Sequence, residues 1–553
     1  MPVDRRVSRP ALTDRAARYL ATQTVGGRNL AAFARELRRR RMPLHWSNMF
    51  GVVSLACVVV LFVTGIFLMF FYSPSSTQVT YHGSYTPLDG ATVSKAFRST
   101  LALSFGVSGG LLMRQAHHWA ALLLPASVIV QLLVTFFTGG FRRPRRFGWV
   151  LLFLILIVAL VGGWSGYAMP DDMLSGTGLR IVEGIMVGIP VVGTWASALL
   201  FGGEFPGQII EHLYPIHVAI VPVLLVGLVA LRLRAAYVHG PAQLPGLGRT
   251  ERNVVGVPIL PNVATRAAGL FLIVAGLIVA IASVVTISPV WLYGPSSPGD
   301  ASAGSQPDWY TGFLDGALRI IPSGWGFLLF GRTVSLAILV PLAAVGAFLA
   351  IVLLYPFIEQ WITGDKREHN LLERPRTAPT RTGIGVAGMT FYGALWGAGS
   401  ADLVATQFHV TLESVLVFYQ CLAILGPIVA FSVARRIAIA LQRKDQEILL
   451  HGYETGRIVR LPGGEYIEVH QQVDEAERWR LANLDDYHPV LARPDEEGHL
   501  GLSTRLRARL SRLFFEDRIS PLLPELTGTS EEAHDEDVRD EKPVHAELAR
   551  HAS

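Results

Sequence analysis

The sequence predicts an all-α membrane protein: eight transmembrane helices in two blocks of four, followed by a polar cytoplasmic tail. Three observations predict it. Hydrophobic residues make up 51% of the 553-residue chain and charged residues only 16%. Several apolar runs reach the roughly 20 residues that a helix needs to cross the hydrocarbon core. Arginine-rich loops recur at every second connection, as the positive-inside rule requires.

The first span is expected near 48–72, after a basic segment (1–47) that carries Arg35, Arg38, Arg39, Arg40 and Arg41. The second is expected near 106–138 and ends in a loop with Arg142, Arg143, Arg145 and Arg146. The third (147–168) and fourth (208–231) complete a first block ending at about residue 240. A polar linker, 241–265, carries Arg249 and Arg252. The second block, 266–436, holds spans near 266–288, 331–357, 383–401 and 411–436, with Lys366, Arg367, Arg374, Arg376 and Arg381 in its basic connection. The alternate connections are poorer in Lys and Arg, so an even number of spans puts both termini in the cytoplasm. The connection 169–207 should carry short surface helices. The connection 289–331 opens with a Pro/Ser/Gly loop (294–304) and continues amphipathically. Within the tail, 437–553, residues 458–469 alternate enough for a hairpin around Pro462-Gly463-Gly464, and the acidic last 25 residues read as disordered.

Composition also excludes. The net charge of +5 is accounted for by the basic loops, so it does not point to nucleic acid. The two cysteines, Cys57 and Cys421, both fall inside spans, which leaves no disulfide framework and no covalent haem-attachment motif. The Arg-rich start leads into a full-length span rather than a short cleavable core, so no signal peptide is expected.

Two spans carry a histidine in an apolar setting, His117 and His217. Ionisable residues inside spans are usually functional. Two histidines facing each other from neighbouring helices can clamp one haem iron. A neutral imidazole bonded to a neighbouring helix would explain either residue alone. His118 is adjacent to His117 and about 100° away on the helix, so only one of the two should face the bundle interior. Arg114 lies one turn before His117, where a cation can pair with a haem propionate. His212 is a competing candidate in the fourth span. Gly65 and Gly166 sit at the same end of spans one and three, where a flat macrocycle needs helices without side chains. Glycine is common in membrane helices, so that signal is weak alone.

Together these residues resemble the cytochrome b subunit of the cytochrome bc complex in its actinobacterial form. The matching strings include Thr80-Tyr81-His82-Gly83-Ser84-Tyr85, Met113 through Leu122, Gly166-Tyr167-Ala168-Met169-Pro170-Asp171-Asp172, Gln306-Pro307-Asp308-Trp309-Tyr310 and Thr363-Gly364-Asp365-Lys366-Arg367-Glu368-His369. The resemblance runs from about residue 30 to 475. It implies a haem-binding first block and menaquinol oxidation at an outer-face site in the second. It implies His117 and His217 as axial ligands of an outer haem b, with Arg114 beside it and Gly65 and Gly166 packed on it. It implies a quinol pocket of Pro307, Asp308, Trp309, Tyr310 and Tyr167, with Asp308 and Tyr310 as the catalytic pair. A carboxylate in a half-apolar pocket suits proton pickup. The implied partners are a Rieske-type iron–sulfur subunit, a cytochrome c subunit, a second copy of the chain, membrane lipid and, further out, a terminal oxidase.

The departures all fall at the family's second, inner haem. Gln131 stands where the resemblance implies a histidine, Val134 where it implies an arginine, Leu152 where it implies a glycine, and Arg232 where it implies the other histidine. Only Gly51 of that set survives. Glutamine is a poor iron ligand, a guanidinium cannot ligate iron, and leucine takes up porphyrin space. One haem b is therefore expected where the family pattern has two. The expected function is quinol–cytochrome c oxidoreduction with the outer site intact. The alternative is a non-catalytic paralogue that docks to respiratory complexes.

Overall fold

The structure, a computed structural model, describes Tyr19 and residues 25–203, 205–297, 299, 306–482, 488–492, 494, 499 and 501–519. The acidic end of the tail and most of the loop 294–304 that follows Ser297 lie outside the described residues. In chain order the helices that matter here are α1 (Val25–Arg39), α2 (Phe50–Met69), α3 (Lys95–Phe105), α4 (Gly110–Phe137), α5 (Arg146–Ala168), α6 (Met173–Val187), α7 (Val192–Phe201), α8 (Ile209–His239), α9 (Ala264–Val284), α10 (Gly312–Arg319), α11 (Leu336–Thr363), α12 (Pro379–Gly399), α13 (Leu412–His451) and α14 (Leu502–Phe515). Among the described residues seven of these are long and apolar enough to cross a membrane: α2, α4, α5, α8, α9, α11 and α13. The chain is a multi-pass membrane protein.

The boundaries differ from expectation where glycine intervenes. The second span begins at Gly110, not at 106, because Gly109 turns the chain with φ +74° and separates α3 from α4. The sixth begins at Leu336, not at 331. Gly331 (φ +73°) is instead the corner of a hairpin pairing Gly326–Leu329 with Arg332–Ser335. The seventh expected span, 383–401, forms the helix α12, but six glycines with Thr380, Arg381 and Thr382 leave it outside the seven strongly apolar helices. Those glycines let α13 approach closely: a Cβ at Gly397 would meet the Tyr419 ring, and one at Gly383 the Phe431 ring. The last expected span, α13, runs on to His451, well past 436. The tail hairpin forms, pairing Tyr453–Arg460 with Tyr466–Gln471.

α4 lies between α2 and α5, α8 packs on α5, and α9 closes against α2 and α4. α10, α12 and α13 pack together, with α11 joining them to α5. At the end with the basic loops, buried Arg381 donates to both oxygens of Glu359 at 2.6 and 2.9 Å and to Glu373. Arg142 (3.2 Å) and Arg518 (2.7 Å) also pair with Glu373. Removing one partner from such a cluster would strand a buried charge. The cluster therefore fixes the α4–α5 loop, α11, α12 and the chain after α14 to one another.

Candidate functional site

At the end away from the basic loops, α2, α4, α5 and α8 surround a cavity of about 320 Å³, in the size range of cofactor pockets. His117 of α4 and His217 of α8 face each other across it, ring centroids 6.1 Å apart. His217 sits in a widened turn, Ile216–Ile220, where the Val221 N–H reaches back five residues to the Ile216 carbonyl. Pro222 follows and cannot donate to the next carbonyl, which favours that wider turn.

Each imidazole is oriented by a hydroxyl. His117 Nδ1 is 2.9 Å from Thr64 Oγ1, and Thr64 donates back to the Val60 carbonyl at 2.6 Å. His217 Nδ1 is 3.0 Å from Ser165 Oγ, and Ser165 donates back to Gly162 at 3.1 Å. A hydroxyl whose hydrogen is committed to a carbonyl accepts from the imidazole. Nδ1 then carries the proton on both rings, and both Nε2 lone pairs are available to an iron.

The cavity fits a haem on two further counts. A Cβ at Gly65 would stand 3.2 Å from His117 Cε1, and one at Gly166 2.6 Å from His217 Cε1, so side chains there would press on the imidazole rings. Arg114 lines the cavity. Its Nη2 donates to the Ser288 carbonyl at 2.6 Å, but its Nη1 is buried without a hydrogen-bond partner. A buried guanidinium nitrogen left unpaired is costly, and a propionate would satisfy it.

The second expected constellation opens on the same cavity. Asp308, Tyr310 and Tyr167 all line it. Tyr310 donates to Asp308 Oδ2 at 2.8 Å, and His118 Nε2 lies 3.2 Å from both Asp308 oxygens. Burial and the neighbouring Asp308 charge push the Tyr310 phenol well above its usual range. It is therefore a hydrogen donor at neutral pH. The Tyr310 ring lies over Gly163 of α5, where a Cβ would collide with it. Trp309 is an anchor: its indole donates to Leu122 of α4 at 3.3 Å, and its carbonyl accepts from Trp396 of α12 at 2.9 Å. Neither Pro307 nor Trp309 is among the cavity-lining residues. On the rim, Asp172 caps α6 through Ser175, and burial raises its carboxyl despite that bond.

Two expectations are corrected. His117 and His118 both line the cavity, because it wraps around α4 from the histidine clamp to Asp308. His212 does not compete as a ligand; its Nδ1 bonds the Leu200 carbonyl at 2.8 Å, away from the cavity. Sequence reasoning missed Thr64, Ser165 and the bond of His118. The signal for the first two was present: each hydroxyl immediately precedes its glycine, Thr64-Gly65 and Ser165-Gly166.

The basic half of the same bundle is packed differently. Gln131 Nε2 lies 2.7 Å from Ser54 Oγ and 3.3 Å from the Phe50 carbonyl, and Ser54 Oγ is 2.7 Å from Ser127 Oγ. A Cβ at Gly51 would touch Gln131 Oε1 at 3.7 Å, so the amide lies over that glycine. Leu152 is buried with Val128, Leu132, Trp149 and Leu156 in one apolar cluster. Val134 is half-buried, and Arg232 lies against Gly148 with its Nε unpartnered.

A cavity formed by two imidazoles and two glycines, in a bundle of apolar helices, defines a membrane cytochrome of the b type. Comparison with known proteins carries this further. A family model described as cytochrome b (N-terminal)/b6/petB matches residues 122–295. The cytochrome bc1 complex cytochrome b subunit of Streptomyces coelicolor is 43% identical over 496 residues, 89% of this chain and 91% of the relative. That of Mycobacterium tuberculosis is 42% identical over 463 residues, 83% and 82% of the two chains. The fold is shared with a chain of a hyperthermophilic respiratory Complex III, at a TM-score of 0.57 and 19% identity, covering 75% of this chain and 99% of that one. The chain belongs to the actinobacterial cytochrome bc1 complex cytochrome b subunits, the haem-binding membrane subunits of quinol–cytochrome c reductases.

Proposed function

We propose that this chain oxidises menaquinol within its complex and holds one haem b, where the family pattern has two. The observation that carries the reading is the contrast between two imidazoles set by hydroxyls at one end and a hydrogen-bonded glutamine among buried leucines at the other. His117 and His217 would hold the haem iron, Arg114 would pair with a propionate, and Gly65 and Gly166 would leave room for the ring. Haem b bound there supplies a one-electron acceptor. Asp308 takes a proton from the quinol hydroxyl. Tyr310 and His118 hold the Asp308 carboxylate at the cavity wall, and Tyr167 lines the quinol's approach. Trp309 fixes this loop to the bundle through Leu122 and Trp396. A Rieske-type iron–sulfur subunit takes the other electron and delivers it to a cytochrome c subunit, in a dimeric assembly beside a terminal oxidase.

The basic loops face the cytoplasm, with both termini on that side. α12 is the seventh of eight spans. Spans one to four (48–240) form the haem block and spans five to eight (266–436) the quinol block, with 241–265 as the linker and 437–553 as the tail.

A pyridine haemochrome assay with a redox titration tests the count. One haem per chain with a single low potential is expected. Two haems with separated potentials would overturn the single-haem reading. Menaquinol-driven cytochrome c reduction tests the activity. No stimulation by added quinol, with haem and iron–sulfur partner both bound, would leave only the docking paralogue.

A further inference from the structure

The helix α14 has two faces, and among the described residues only one packs on the protein. Phe514 and Phe515 pack with Leu510 on Ile358 and Ile362 of α11 and Ile384 of α12. Arg507 donates to the Trp361 carbonyl at 2.6 Å, and Thr380 Oγ1 donates to the Leu513 carbonyl at 2.8 Å. Beyond the helix, Arg518 pairs with Glu373, and Arg435 of α13 with Glu516 at 2.9 Å. These contacts reach the last turns of α11 and the first turns of α12. They set α14 across the ends of α11 and α12 on the basic-loop side of the bundle.

The other face carries Leu502 and Leu506, 84% and 53% exposed, beside exposed Arg505, Arg509 and Arg512. At 100° per residue these five fall on one arc, opposite Phe514 and Arg507. No acidic residue lies between Leu502 and Phe515. An exposed face of leucine and arginine beside the end of the spanning helix α11 matches the chemistry of acyl chains under negatively charged headgroups.

We infer that α14 is an interfacial helix whose outward face binds anionic lipid of the leaflet on the basic-loop side. The leucines enter the headgroup–acyl boundary and the three arginines pair with lipid phosphates. The Arg518–Glu373 pair and the Phe514–Phe515 wedge transmit that anchorage to the helix bundle. The cytoplasmic identity of the leaflet rests on the orientation proposed above; the lipid contact does not.

The test uses the full chain in nanodiscs of phosphatidylcholine alone, or of phosphatidylcholine mixed equally with phosphatidylglycerol. Cys421→Ser removes the exposed native thiol, and Leu506→Cys carries a fluorophore. In anionic discs the label is expected to be quenched by a lipid-borne quencher and shielded from acrylamide. In zwitterionic discs the shielding is expected to weaken several-fold. Each arginine near an anionic surface is worth about fivefold in partitioning, so Arg505→Glu with Arg509→Glu and Arg512→Glu should abolish the lipid dependence while the haem spectrum stays unchanged. Equal acrylamide access in both discs would overturn the proposal. So would shielding that appears only when the other subunits of the complex are present, which would assign the face to a protein partner. Labelling the same cysteine in right-side-out and inverted vesicles reads the orientation separately, because a nanodisc exposes both faces.

Discussion

The two halves of one helical bundle solve the same packing problem in opposite ways. Both are built from α2, α4, α5 and α8, and both carry polar groups in an apolar setting. At the histidine end the polar groups are turned inward toward a cavity, with hydroxyls directing Nδ1 and leaving Nε2 unused. At the basic end Gln131 turns its amide to Ser54 and the Phe50 carbonyl, and leucine and tryptophan close the space. The lesson is about satisfaction. A buried donor satisfied by its own helices, as at Gln131, needs no ligand. An unpartnered arginine nitrogen alone does not mark a place for one, since Arg232 Nε is also unpartnered, but Arg114 lines the cavity and has room for a partner there.

Several experiments would break or sharpen this contrast. The largest effect is expected from His117→Ala or His217→Ala, each of which should abolish haem binding in the haemochrome assay; unchanged haem in either variant would refute the ligand assignment. Asp308→Asn should keep the haem and lower menaquinol oxidation by about a hundredfold, the low end of the range for losing a proton-transfer group. Tyr310→Phe should cost less, because Asp308 keeps His118. If both variants turn over like the parent, the proton path lies elsewhere.

Gly166→Val probes the cradle. A Cβ already stands 2.6 Å from His217 Cε1, so a branched side chain should displace the ring and lower haem occupancy in purified protein. Gln131→Leu probes the other half: it removes one neutral hydrogen-bond set, worth about 1 kcal/mol, and should leave haem content and visible spectrum unchanged. The smallest effect is expected from Gln131→His combined with Arg232→His. With Leu152 in place, no second haem should appear. Recovery of two haems per chain would refute the filled-site reading.

Much of this was legible in the sequence because membranes impose strong rules. Span length and loop charge gave seven strongly apolar helices near their expected positions, and the tail hairpin followed from alternation around Pro462-Gly463-Gly464. The errors occurred where glycine decides, since a positive φ at Gly109 or Gly331 ends an element without changing local hydropathy. The expected span at 383–401 forms a helix, α12, but its polar and glycine-rich sequence keeps it out of the strongly apolar set.

The sequence by itself determined the membrane class and the family, because both are written in residue identity and spacing. Tertiary structure alone decided which atoms meet. Only the packing of α2 on α4 and of α5 on α8 sets Thr64 against His117 and Ser165 against His217. It alone brings Asp308, 190 residues away, to His118. A hydrogen bond depends on sub-ångström placement of groups far apart in the chain. No periodicity in a single sequence carries that information, and so the cavity that joins the histidine clamp to Asp308 emerged only from the fold.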